Sequence, residues 1–369
     1  MTASNHINSV YGARSQYRDH LVANIVESLG LCANRGWTPS DLRHEFSADI
    51  DFLLYRALSD VAFASSADMY SLWLRETDVN AEDMLSISSL EQIMHALPFL
   101  KSLSEWEILN ALNEQVDAEL PADYTPEQAK AHNRIIALLK KAESTTFEKE
   151  AEALIFKAET LRQQYRIESL LVDSYSSTPS SKPSVVASRA YLHAPWIRHQ
   201  FKLLSSVARV HACESLLITK SGIATIFGAP DDVAHVIDLF GSLNRQRDHF
   251  MRTSPGAHES QLRGQTNAYR RSFMIAYARQ ITYLLIDARE ETMEQLAEEA
   301  PSAYDAILPV LHERAAQSQS ALKQFFPNSR NMSFESNNRR GILDGIDAAN
   351  KSHLGGDSAG LLSRKSLNP

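Results

Sequence analysis

Residues Thr125 to Ile167 constrain the chain more than any other stretch, because every local signal in them asks for two helices joined at a polar break. Thr125 opens the first with Pro126 in its first turn, where a missing N–H costs nothing, and Gln128 completes a capping box. Ile135, Leu138, Leu139 and Ala142 follow at helical spacing. Ser144-Thr145-Thr146 interrupts them, and Thr145 with Glu148 forms a second capping box. Ala151, Leu154, Ile155, Ala158, Leu161 and Tyr165 then make one apolar stripe. The spacing predicts an antiparallel helical hairpin within residues 123–172, buried along these two stripes.

The run RIIALLKKAESTTFEKEAEALIFKAETLRQQYRI, with its KAEST break, EAEAL opening and KAETL continuation, resembles a bacterial and phage family defined by a short helical-hairpin domain of unknown function. The resemblance implies a hairpin placed between a helical N-terminal region and a C-terminal α+β region. It implies no activity, cofactor or catalytic residue.

The flanking sequence fits that arrangement, and its charge is uneven. Residues 1–125 hold 7 basic and 19 acidic residues, 126–188 hold 9 and 8, 189–290 hold 13 and 8, and 291–369 hold 8 and 10, within a net charge of −8. An acidic front beside a basic later region marks either a polyanion site or two regions that attract each other. No apolar run approaches the roughly 20 residues of a membrane span, and the polar start lacks the pattern of a secretory signal. Cys32 and Cys213 are the only cysteines and lie far apart, which offers neither a disulfide framework nor a thiolate metal site. A cytoplasmic protein without a membrane partner is expected.

Along the chain, residues 1–13 read as a flexible terminus and 14–122 as an acidic helical domain. Leu21, Ile25, Leu29 and Cys32 follow one helical stripe, Arg35-Gly36 closes it, and Thr38-Pro39-Ser40-Asp41 starts the next helix. A third helix is expected over Asp49–Phe63, with Pro98 and Pro121 as later punctuation. Three helices with a short turn invite a helix-turn-helix reading, but DLRHEFSADID is acidic where a DNA-reading helix presents Arg and Lys. After the hairpin, residues 173–188 are rich in Ser and Pro and read as a linker.

Residues 189–290 then read as a small basic α+β domain in the order α-β-β-α-α. A helix carries Ile197, Phe201, Leu204, Ala208 and His211, and Glu214–Thr219 with Ile223–Gly228 form a hairpin about Ser221-Gly222. Another helix starts at Pro230, a polar loop surrounds Pro255-Gly256, and Tyr269 to Leu284 define the last helix. Two strands alone are marginal, so the hairpin must pack on these helices or pair with a second copy in a homodimer. A helical extension over 291–326, bent near Pro301 and Pro309, and a mostly disordered tail over 327–369 complete the mainly α reading. Within that tail, Gly345, Ala348 and Ala349 give a short helix from Ile342 to Asn350 a small-residue face that can dock on another helix.

Catalytic signatures are missing from the sequence. His312-Glu313 begins a zincin-like motif that fails at Ala316, and there is no phosphate loop and no nucleophile elbow. His193, His199, His211 and Cys213 fit no common zinc spacing, so no metal or cofactor is expected. The stronger signal is cationic. Arg198, Lys202 and Arg209 fall within roughly 40° on one helix, and Arg245, Arg247, Arg252, Arg270 and Arg271 enlarge the ridge if the helices lie side by side. Such clusters hold phosphates; the plain alternative is a solvated face or a dock for the acidic domain. The residues favour a non-enzymatic interaction or regulatory protein that binds a protein partner through helical surfaces. Nucleic-acid binding by residues 189–290 is the alternative, and an enzyme whose site gathers distant residues stands third.

Overall fold

The computed structural model describes residues 2–101 and 185–352, together with positions 134, 137 and 141. The chain divides into two compact units, Met1–Glu114 and Gln115–Pro369. It is mainly helical, with one small antiparallel sheet. Among the described residues no helix is long and apolar enough to cross a membrane.

The N-terminal unit holds α1 (Thr2–Asn34), α2 (Pro39–Phe46), α3 (Asp51–Ala64), α4 (Ala67–Glu76) and α5 (Ile87–Lys101). The expected stripe Leu21, Ile25, Leu29 and Cys32 is buried along α1. The terminus expected to be flexible is helical from Thr2 onward. Once a helix is nucleated downstream, extending it is easy, and Gly12 alone weakens the run by about 1 kcal/mol. Gly36, at φ 90°, closes α1, and at the expected start of α2 Thr38 and Asp41 form a capping box. Gly30 lies against Asp60, where a side chain would collide with the Asp60 Cβ, so α1 and α3 cross closely. Trp73 Nε1 donates to Trp37 O at 3.0 Å and Trp37 Nε1 to Leu100 O at 3.3 Å, which ties α4 and α5 to the same core. Pro98 does not stop its helix, since α5 continues to Lys101.

The hairpin expected over residues 123–172 lies outside the described residues, apart from positions 134, 137 and 141. Those three are helical and exposed, and none belongs to the predicted apolar stripe.

The C-terminal unit opens with a strand that sequence reading assigned partly to the linker. β1 (Val186–Tyr191) is followed by α6 (Ile197–Val210), β2 (Glu214–Ile218), β3 (Ile223–Gly228), α7 (Pro230–Thr253), α8 (Pro255–Leu262), α9 (Thr266–Glu299), α10 (Pro301–Phe325) and α11 (Arg339–Lys351). Residues 186–188 are therefore strand, and the order begins β-α-β-β rather than α-β-β. The sheet runs β1-β3-β2, all antiparallel, with Val186 opposite Gly228 and Glu214 opposite Phe227. This third strand covers the β3 edge of the hairpin and leaves β1 and β2 as the two edges of the sheet. The polar loop expected at Pro255-Gly256 is instead the short helix α8, started by that proline. The helical extension breaks at Ala300 and then runs unbroken through Pro309.

Alternation along the fully buried β3 sorts the layers. Ala224 and Ile226 join the core built by Phe201, Leu204 and Val207 of α6, Val236 and Leu243 of α7, and Phe273 and Tyr277 of α9. Phe227 points the other way, onto Phe325 and Phe326 at the end of α10. The sheet is thus sandwiched between a helical layer and α10.

Candidate functional site

The face of interest is built on α6, whose apolar side packs into the core described above while its opposite side carries Arg198, Lys202 and Arg209. Arg198 and Arg209 are exposed and Lys202 is half-buried. Burial, and next the charge of Arg209, push the Lys202 amine below its usual pKa. His199, half-buried beside them, is also pushed down, first by burial and then by the guanidinium charges of Arg198, Arg271 and Arg247. α6 packs against both α7 and α9, so cations from all three helices lie near His199. Among the described residues no carboxylate pairs with Arg198, Lys202, Arg209 or Arg271.

A strap of chain crosses this cluster. Residues 326–338 contain neither helix nor strand, yet the Arg198 guanidinium donates to Ser333 O at 3.4 Å. The Phe334 ring lies 5.8 Å from the Arg198 guanidinium carbon and 5.9 Å from the Lys202 amine, within cation–π range. His199 meets the same ring edge-on at 5.8 Å, and Trp196 meets His199 at 5.4 Å. Aromatic rings thus alternate with cationic heads across the α6 face.

What holds the strap is the helix after it. Ser272 Oγ on α9 accepts from the backbone N–H of Asn337 at 3.2 Å and of Asn338 at 3.0 Å. Asn338 then caps α11 by accepting from Gly341 N at 2.8 Å. Gly341 and Gly345 press on the α9 backbone at Tyr269 and Phe273, where a methyl group would overlap the carbonyl oxygens. The buried Asp344 carboxylate accepts from Tyr269 Oη at 2.9 Å and Gly256 N at 2.8 Å, and pairs with Arg340 at 3.2 Å. Burial, then that carboxylate, pushes the Tyr269 phenol up. The small-residue face expected on this helix docks as sequence reading allowed, and the described part of the tail, residues 327–352, ends in this helix.

The remaining candidate residues divide. Arg271 is exposed beside His199, whereas Arg270, about 100° round the helix, is half-buried at the start of α9. Arg245 is exposed on α7, and Arg252 turns back to donate to Asp248 O at 2.9 Å. Arg247 is not a surface residue. It is 1% exposed and pairs with Asp248 at 2.7 Å, so it adds positive field beneath the face without offering a contact. Its place follows from the inward-facing side of α7, shared with Val236, Phe240 and Leu243. His211 is buried against His235, ring centroids 4.4 Å apart, and Cys213 is buried with Sγ 3.5 Å from His211 O. Among the described residues no group of three His, Cys, Asp or Glu side chains could hold a metal. Sequence reasoning missed Phe334 as part of the site and weighed His199 only as a metal ligand; the sole signal for Phe334 was a lone aromatic in an Asn/Ser-rich run.

A family model described as "Protein of unknown function (DUF2786)" matches residues 130–169, which supports the resemblance to a domain of unknown function over that stretch. No curated protein and no solved structure matches the chain.

Proposed function

We propose that this is a binding protein whose C-terminal unit holds nucleic acid by its phosphate backbone across the α6 face. One observation carries the reading: Arg198, Lys202, Arg209 and Arg271 have no carboxylate partner among the described residues of a chain whose net charge is −8. Burial is the larger reason that Lys202 and His199 are pushed down, and the neighbouring guanidinium charges add to it. Phosphates neutralise such a cluster, and guanidiniums donate to their oxygens bidentately. A second reading, a protein partner engaged through the acidic helical unit, is favoured by Phe63 at 96% and Met84 at 78% exposure.

Full-length protein titrated with a labelled oligonucleotide near physiological salt tests the first reading. Binding is expected with a log K against log salt slope of about −3, as four single-strand phosphate contacts at about 0.7 each require. The triple change Arg198→Glu, Lys202→Glu, Arg209→Glu abolishes it. No binding down to a dissociation constant of roughly 10⁻⁴ M would exclude nucleic acid and leave the protein partner.

A further inference from the structure

We infer that the α6 face takes single-stranded rather than duplex nucleic acid, with one base stacked at Phe334. This rests on the nucleic-acid reading above and narrows its ligand.

Duplex binding through phosphates needs cations alone, because the bases remain stacked inside the helix. Here the cations are interleaved with rings. Phe334 is half-buried, with the Arg198 and Lys202 heads over its ring, His199 at its edge and Trp196 against His199. Stacking platforms among cations are what an unpaired strand engages, since each of its bases offers a π-face. The cations are also arranged for one strand. Arg198, Lys202 and Arg209 form a single row of about 16 Å along α6, at 1.5 Å per residue. A row of that length tracks the phosphates of a few successive nucleotides.

The strap adds preorganisation. Chain without helix or strand carries the ring, yet it is pinned by Arg198 on one side of Phe334 and by Ser272 on the other, before α11 locks onto α9. The ring is therefore held in place before any base arrives, which lowers the ordering cost of binding.

The test compares one mixed-sequence labelled 20-mer, as a single strand and as a duplex, by fluorescence anisotropy with full-length protein. Wild type is expected to bind the single strand about tenfold more tightly. Phe334→Ala and Phe334→Leu should each weaken single-strand binding about tenfold, within the range of one lost base stack, and leave duplex binding within twofold. Phe334→Tyr should restore it. The leucine variant keeps apolar volume, so a thermal melt matching wild type separates lost stacking from lost folding. Equal or tighter duplex binding overturns the inference and leaves the phosphate reading standing. So does a leucine variant as good as tyrosine, or a Phe334 change that weakens both ligands alike. Failure to bind either ligand overturns both.

Discussion

His199 is the residue in which the chemistry of the face is most concentrated. Partial burial, then Arg198, Arg271 and Arg247, hold its pKa below the unfolded value near 6.5. The unfolded chain therefore binds the proton more readily, so the stability associated with neutral His199 is complete above that value and is lost as pH falls below it. A bound phosphate reverses the local preference, because it favours the imidazolium. Binding should then take up a proton, and oligonucleotide affinity at fixed salt should rise several-fold between pH 7.5 and 5.5. His199→Gln should flatten that profile while leaving the salt dependence in place. At this scale, what sequence could show was what lies within one helix. Arg198, Lys202 and Arg209 share a face by spacing alone. Arg247 has the same chemistry, but its burial depends on how α7 packs, and Phe334 belongs to the face only through a contact with residues more than a hundred positions away.

Among the elements, β3 and α11 were legible and β1 was not. β3 announces itself as an apolar run after Ser221-Gly222, a turn whose glycine adopts φ 73°. β1 is six residues long, follows a Ser/Pro-rich stretch, and acquires its partner only when β3 is made some forty residues later. Its edge position asks for little apolar pattern, so composition assigned its first residues to a linker. The docking of α11 was readable from the spacing of its small residues, although the amide-rich composition around it pointed to disorder. Composition describes what a segment could bury by itself, whereas α11 borrows the surface of α9. Because Gly345 lies on the Phe273 carbonyl, Gly345→Val should undock α11. A loss of at least about 2 kcal/mol in urea denaturation is expected, at the middle of the range for overpacking. The Tyr269 phenol, no longer facing Asp344, should then titrate closer to its ordinary value.

For the whole molecule, the charge asymmetry stands apart from the detailed geometry and yields its own expectation. Residues 1–125 carry a net −12 and residues 189–290 a net +5. An acidic stretch on the same chain repels an incoming polyanion that comes within a Debye length of it, about 10 Å at 0.1 M salt and more at lower salt. A fragment of residues 185–352, which keeps β1 and α11, should therefore bind a labelled oligonucleotide several-fold more tightly than the full chain at 50 mM salt. That difference should shrink towards nothing by 0.5 M. The order of synthesis gives the α9–α11 contact a further meaning. The α9 surface at Tyr269, Phe273 and Tyr277 is complete long before residue 351 is made. At about 5–20 residues per second, the growing chain leaves that aromatic row uncovered for several seconds. A ribosome stalled in that interval would display a sticky helix to its neighbours until α11 arrives to cover it.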